Sequence, residues 1–303
     1  MNNQVKIAII AIVIVIPLSS YSVWASDSSL QFRETNGLGK LQAISSFYPL
    51  YEFAKQVGQD KVNVQLLVPE GVEPHDWEPT IQDVQLMQKS DMIIVNGFGF
   101  ENWVENLEEM NYQGIVVDTS DGIIRIDNDK KPVIPSEDDP HIWLNPILAK
   151  TQVQTIADAF SKSDPLNQKF YQKNAQSYMI ELDKLDSKIK NDLSNCNRDF
   201  ITFHDSFSYF AYEYNLYQHT IISSNDPHSE PTAKTLEKII NTARELELKI
   251  IFTEDTTDPR ISKVVANEIG GKILVLSPLE ISGDGNYISI MTENLNHLKE
   301  ALC

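Results

Sequence analysis

Short apolar runs alternate with amphipathic stretches from residue 41 to the end of the chain. Residues 41–45 read as a strand. In 49–57, Leu50, Phe53, Ala54 and Val57 share one helical face, and Gly58 closes the helix. Residues 62–68 alternate in part and are rich in valine, which makes a second strand. Thr80 caps the next helix; Ile81, Val84 and Met87 recur every three residues behind it, and Leu86 widens that side. Residues 92–95 are all apolar, as in a strand buried on both faces. Asn96-Gly97-Phe98-Gly99-Phe100 turns into an expected helix over 101–110, and 114–118 makes a fourth strand.

The rhythm breaks at 121–138, which is polar and acidic (Asp127, Asp129, Glu137, Asp138) and reads as an exposed loop. A helix is expected over 146–161. The longest helical pattern follows, over 165–195, with Pro165 suited to its first turn. Phe170, Tyr178, Leu182, Leu185, Ile189 and Leu193 keep a three-or-four spacing along it. A helix of ~30 residues spans about 45 Å, more than one small domain needs, so it reads as a spine between two lobes. Strands at 200–203, 219–223, 249–253 and 272–276 then alternate with helices at 206–214, 232–246, 259–269 and 287–302.

Strands alternating with helices through short loops indicate parallel βαβ units. The expected fold is α/β: two lobes, each a small, mostly parallel four-stranded sheet with flanking helices, joined by one long spine helix. The N-terminal lobe is expected over 41–164, the spine over 165–195 and the C-terminal lobe over 196–303. Open α/β sheets bind ligands beyond the carboxyl ends of their strands. His75, His204, Ser277 and Glu280 follow strands, and His141 lies beyond the fourth strand across the acidic loop.

The chain's 303 residues are enough for two compact domains. A net charge of −18 argues against nucleic acid, which needs a basic footprint, and favours attraction of cations. Lys6, an apolar run over 7–16, Pro17 and a small-residue stretch to Ala25 have the layout of a secretory signal, with an uncleaved anchor as the alternative over 1–26. No cysteine follows that run, so a cysteine-linked lipid anchor is not expected. Residues 27–40 read as a flexible tether. Export to a periplasmic or extracytoplasmic setting permits a disulfide between the two cysteines, Cys196 and Cys303, and two free thiols are the alternative. Neither belongs to a CxxC pair, so a cysteine zinc site is not expected.

Three histidines sit in loop contexts bounded by proline or aspartate: Glu73-Pro74-His75-Asp76-Trp77-Glu78-Pro79, Asp139-Pro140-His141-Ile142-Trp143-Leu144-Asn145-Pro146 and Phe203-His204-Asp205-Ser206. Imidazole suits zinc and its transition-series neighbours, and three histidines from separate loops would fix three corners of a tetrahedron. Asp76, Asp139 and Asp205 are candidates to accept the second imidazole N–H. His219 lies in a strand and His297 on the last helix, and both read as structural. His228, in Asp226-Pro227-His228, is a candidate for the cleft mouth. There is no HExxH run, no Walker A run and no dinucleotide fingerprint.

These motifs, with Asn96-Gly97-Phe98-Gly99-Phe100-Glu101, Glu230-Pro231-Thr232-Ala233-Lys234 and Ile251-Phe252-Thr253-Glu254, resemble the cluster A-I solute-binding proteins of zinc and manganese ABC transporters, the zinc-uptake subgroup in particular. The likeness covers about 41–301. It implies a metal buried between two βα lobes, delivered to a membrane permease with its ATPase, in a protein that is not an enzyme and works as a monomer. It implies His75, His141 and His204 as ligands. Zinc members resemble this chain in having histidine at the third position, whereas manganese members tend to have glutamate, so Zn2+ is expected and Mn2+ is the lesser option.

The sequence departs from the family pattern at the fourth ligand. Where the family usually has Asp before Pro-Leu, this chain has Ser277-Pro278-Leu279-Glu280. A serine hydroxyl is a poor zinc ligand. Glu280 is the first candidate for the fourth corner, with water or Glu254 as alternatives; Ser277 lines the cleft or caps the loop. Three histidines plus a water also describe a hydrolase, because zinc lowers the pKa of bound water to about 7. A surface adhesin or a metal chaperone on the same fold is a third possibility.

Overall fold

The computed structural model describes residues 39–123, 139–222, 230–255, 257–281 and 285–303, all within the unit Gly39–Cys303. The N-terminal segment expected as a signal, most of the tether, the acidic stretch 124–138 and His228 lie outside the described residues.

Strands β1 (Leu41–Ser45), β2 (Val62–Leu66), β3 (Met92–Val95) and β4 (Ile115–Asp118) form a parallel sheet ordered β2-β1-β3-β4. Strands β5 (Asp199–Thr202), β6 (Tyr217–Thr220), β7 (Ile250–Thr253) and β8 (Lys272–Val275) repeat that order as β6-β5-β7-β8, again parallel. Around them lie α1 (Tyr48–Gly58), α2 (Ile81–Met87), α3 (Pro146–Ser163), α4 (Gln168–Asp192), α5 (Ser208–Tyr214), α6 (Ala233–Glu245), α7 (Arg260–Glu268) and α8 (Tyr287–Leu302). In each sheet the first strand sits between the second and third, so the order in which strands are added reverses beside it. A ligand crevice is expected there.

Local chemistry sets the helix starts. Thr80 and Asp83 form a reciprocal capping box at α2. The Asn145 side chain accepts the Ile147 N–H at 2.9 Å at the start of α3, where Pro146 occupies the first helical position. Two expected helices are corrected. The stretch 101–110 makes only a 3-10 turn, Asn102–Asn106. Its buried anchors, Trp103 and Leu107, need one turn, and a longer helix would not recover its nucleation cost there. The spine begins with a separate 3-10 turn, Pro165–Asn167, because Asp164 ties back both the Asn167 amide and the Tyr171 hydroxyl (2.6 and 2.7 Å). The α-helical part, α4, has 25 residues and a length of about 38 Å.

Strand residues alternate between two cores. Met92 and Ile94 of β3, Phe200 of β5 and Phe252 of β7 face a common core. Tyr178, Leu182, Leu185 and Ile189 of α4 and Leu295 and Leu298 of α8 join them there. Ile93 and Val95 turn to an outer core of the first sheet, and Ile201 and Ile251 to an outer core of the second. Both sheets therefore share one packed interior, with α4 running through it. Pulling them far apart would expose that interior to water.

Cys196 and Cys303 are joined by a disulfide, with a Cα–Cα distance of 4.6 Å and a separation of 107 residues. It ties the end of α8 to the segment after α4, where the Asn197 N–H also meets the Leu302 carbonyl at 2.9 Å. Closing a loop of that length contributes about 4–5 kcal/mol in the chain-entropy picture.

Candidate metal centre

Four loops bring one side chain each to a single point. His75 comes from the proline-bracketed loop after β2. Its ring lies 4.8 Å from that of Phe100, and its side chain remains 10% exposed. His141 precedes a 3-10 turn, Ile142–Leu144, that leads through Asn145 into α3. His204 lies two residues past β5. Glu280 follows β8 through Ser277-Pro278-Leu279, a turn in which Leu279 takes the left-handed φ of 59°. The Ser277 hydroxyl accepts the Leu279 N–H at 3.2 Å, and Asn294 grips the Ser277 backbone on both sides. Ser277 thus caps the loop that aims Glu280.

The Nε2 atoms of His75, His141 and His204 lie 3.2, 3.2 and 3.6 Å from Glu280 Oε1. His141 and His204 Nε2 are 3.3 Å apart, and all four ligand atoms fall within 4.8 Å of one another. A Zn–N bond of about 2.0–2.1 Å puts tetrahedral ligand atoms about 3.3 Å apart, so this spacing fits a zinc-sized ion among the four groups. Glu280 Oε2 is buried without a hydrogen-bond partner, a further mark of a site built for a cation.

The supporting groups differ from the expectation in two cases. Asp139 Oδ1 accepts both the His141 backbone N–H (3.0 Å) and its Nδ1 (2.7 Å). Asp205 does not hold His204: it accepts the Ser208 hydroxyl at 2.6 Å, near the start of α5. Glu254 holds His204 instead, its two oxygens meeting Nδ1 at 2.6 Å and the backbone N–H at 3.1 Å. Glu254, weighed as a fourth ligand, is thereby placed behind an imidazole and not in the cluster. Asp76 is exposed, and the His75 ring bonds Glu280, not Asp76. With Nδ1 of His141 and His204 donating to carboxylates, loss of the Nε2 protons leaves both lone pairs pointing into the cluster. The cue for Glu254 was its place after the strand adjacent to the one carrying His204, a cue that needs the strand order to be read.

Charge inside the cluster is balanced by pairing. Burial pushes the Glu280 carboxyl up, but hydrogen bonds from His141, His204 and His75 outweigh it and hold the group well below its usual range. Burial pulls His204 down, yet Glu254 and then Glu280 carry it well above its ordinary value. His141 is raised in the same way, with Asp139 as its main counter to burial. For His75, burial outweighs the hydrogen bond and charge of Glu280, and the neighbouring His141 and His204 add to the lowering. His219 and His297 stand apart from the cluster, bonded to Asp199 (2.8 Å) and the Val275 carbonyl (2.6 Å).

Two parallel α/β sheets sharing a core, with a buried three-histidine, one-glutamate cluster where their loops meet, define a solute-binding class of protein. The profile of the periplasmic zinc-uptake complex component A family matches residues 44–301, and the chain belongs to that family. It is 36% identical to the high-affinity zinc uptake system protein ZnuA of Bacillus subtilis, over 87% of this chain and 88% of that one. It is 32% identical to the zinc-binding lipoprotein AdcA of Streptococcus pneumoniae, of which it spans 56%. The Zn(II)-bound ZnuA-like domain of S. pneumoniae AdcA superposes with a TM-score of 0.75 at 32% identity, covering 87% of this chain and 99% of that one.

Proposed function

We propose that this protein captures one Zn2+ from the extracytoplasmic space, with His75, His141, His204 and Glu280 as its ligands, and delivers it to an ABC-type importer. The observation that carries the reading is the convergence of four donor atoms, three of them imidazole nitrogens, within 4.8 Å of one another. A nitrogen-rich set suits zinc over manganese. Four protein ligands close the coordination sphere, as in non-catalytic zinc sites, and leave no position for an activated water, so the protein binds and does not hydrolyse. The zinc-uptake and zinc-binding names of its relatives support the cargo. The partner is a membrane permease with its ATPase, and the protein acts as an exported monomer. No helix among the described residues is long and apolar enough to cross a membrane.

The test is a chelator-competition titration of the purified, metal-stripped protein with Zn2+ and Mn2+. One tight zinc per chain, held well above manganese, is the expected result. No tight zinc, or manganese preferred, overturns the reading. A metal-dependent esterase or phosphatase turnover above that of free zinc would overturn the non-catalytic part.

A further inference from the structure

Glu280 sits at the end of a turn that does not hold itself. Leu279 is a non-glycine residue in left-handed backbone, a conformation that persists only where its surroundings over-determine it. Part of that restraint is local: the Ser277 hydroxyl and the Asn294 amide. The other part comes from the opposite half of the molecule. The Trp143 indole N–H donates to the Pro278 carbonyl at 2.7 Å, across 135 residues of sequence. The Trp143 carbonyl in turn accepts the Tyr287 hydroxyl at 2.6 Å. Trp143 is fully buried, so neither partner has water as a substitute.

The same indole touches the rest of the cluster. Its ring lies 5.1 Å from that of His141, two residues before it, and 5.1 Å from Phe100. Phe100 packs edge-on against His75 at 4.8 Å. One side chain is therefore in contact with His141, with the ring that backs His75, and with the backbone two residues before Glu280. Binding requires no N–H from this residue for packing alone, since a phenylalanine would fill most of the space. The hydrogen bond is what distinguishes a positioning role from a core role.

We infer that Trp143 is a positioning residue for metal capture: its indole N–H fixes the Pro278 carbonyl, and through it sets where the Glu280 carboxylate meets the three imidazoles. This rests on the zinc reading above. The bond joins the His141 turn to the Glu280 turn, so the position of the fourth ligand depends on how the His141 turn is seated. Losing the N–H leaves a buried carbonyl unpaired and the left-handed Leu279 free to relax.

The experiment compares the full chain with Trp143→Phe, Glu280→Gln and the double variant, by zinc competition and by the visible spectrum of the Co2+-loaded protein. Trp143→Phe is expected to weaken zinc about tenfold, the size of one buried hydrogen bond lost. Its cobalt bands should lose the intensity of a four-coordinate tetrahedral site. In the Glu280→Gln background the same change should have little further effect, because both act at one ligand. Tyr287→Phe, a smaller perturbation, should weaken zinc in the same direction by less. Wild-type affinity with an unchanged cobalt spectrum in Trp143→Phe overturns the inference. So does an equal loss in the Glu280→Gln background, which would mark a general packing role. If the wild type itself holds no zinc, the zinc reading fails and takes this inference with it; if the wild type and Trp143→Phe hold zinc equally while Glu280→Gln loses it, this inference fails and the zinc reading stands.

Discussion

The two sheets have the same strand order, and in each a buried glutamate from the loop after the third strand reaches a residue just past the first strand. In the N-terminal sheet Glu101 accepts the Ser46 hydroxyl at 2.6 Å; in the C-terminal sheet Glu254 meets His204 Nδ1 at 2.6 Å. The scaffold and the bond length match, but the chemistry differs. Glu101 is surrounded by neutral donors, the Ser46 hydroxyl and the Asn96 and Gly97 amides. Burial outweighs them and raises its carboxyl to about 7. Glu254 faces an imidazole whose other nitrogen looks into the cluster. The residue just past the first strand, a serine in one sheet and a histidine in the other, separates a structural anchor from one wall of the proposed metal site.

The largest effect that comparison predicts is at His204 itself. His204→Ala removes a donor and leaves Glu254 buried without its partner, so zinc affinity should fall by more than the about 100-fold that bounds typical supporting-group changes. Chelator competition reads it directly. Next comes Glu254→Gln, which keeps the shape but weakens the acceptor behind His204; it should cost about 10–100-fold in affinity, as should Asp139→Asn behind His141. Asp205→Asn should stay within about twofold, because Asp205 bonds Ser208 and not the imidazole. Equal losses for Glu254→Gln and Asp205→Asn would break the comparison.

Protons sharpen it further. His204 and His141 carry raised pKa values in the ion-free protein and His75 a lowered one, so zinc has to displace the protons that the first two hold. Calorimetry in buffers of differing ionisation heat should show proton release on zinc binding, reduced in Glu254→Gln. The signs for stability follow from linkage. His204, raised in the folded state, stabilises the ion-free fold fully below its ordinary 6.5 and progressively less as pH rises through its folded value. Glu280, depressed, stabilises above its ordinary 4.5 and loses that contribution as pH falls through its folded value. The gap in melting temperature between zinc-loaded and ion-free protein should therefore widen from pH 6 to pH 8. A gap independent of pH would contradict it.

Most of the architecture is legible without coordinates, because the strands are short apolar runs and the helices keep their spacing. The α8 range, 287–302, is one that periodicity alone delimits, with Asn286 as its cap. Glu280 was legible as a candidate from its place after the last strand, and the histidines from their loops. What was not legible is anything that depends on which strand lies next to which. Glu254 is 50 residues from His204 in sequence and becomes its neighbour only through the β5–β7 pairing. Asp205, adjacent in sequence, points elsewhere. The Trp143–Pro278 bond is invisible for the same reason. The stretch 101–110 departs from the expected helix at its first residue, Glu101, whose carboxylate turns inward and gathers three donors.

Glu101 offers the smallest effect on zinc and the cleanest contrast with Glu254. Its carboxyl, raised from 4.5 to about 7, prefers to be protonated in the folded state. By linkage its contribution to stability is fully present below about 4.5, declines across the interval up to about 7, and is gone above it. Glu101→Gln cannot ionise, so it lacks that decline. Relative to the wild type, the variant should gain on the order of 3 kcal/mol in unfolding free energy between pH 4.5 and pH 8, whatever its offset at either end. Taking the difference between the two proteins cancels the contributions of His204 and Glu280, which both retain. Zinc affinity should fall by less than about tenfold, because among the described residues Glu101 bonds no imidazole and reaches the His141 turn through Asn96, whose side-chain amide holds the Pro140 carbonyl at 2.8 Å. Denaturant melts at four pH values settle the first point and one chelator titration the second. A variant that tracks the wild type across pH while losing zinc as severely as Glu254→Gln would mean that the two glutamates do the same work, and that the serine after β1 is no less a part of the site than the histidine after β5.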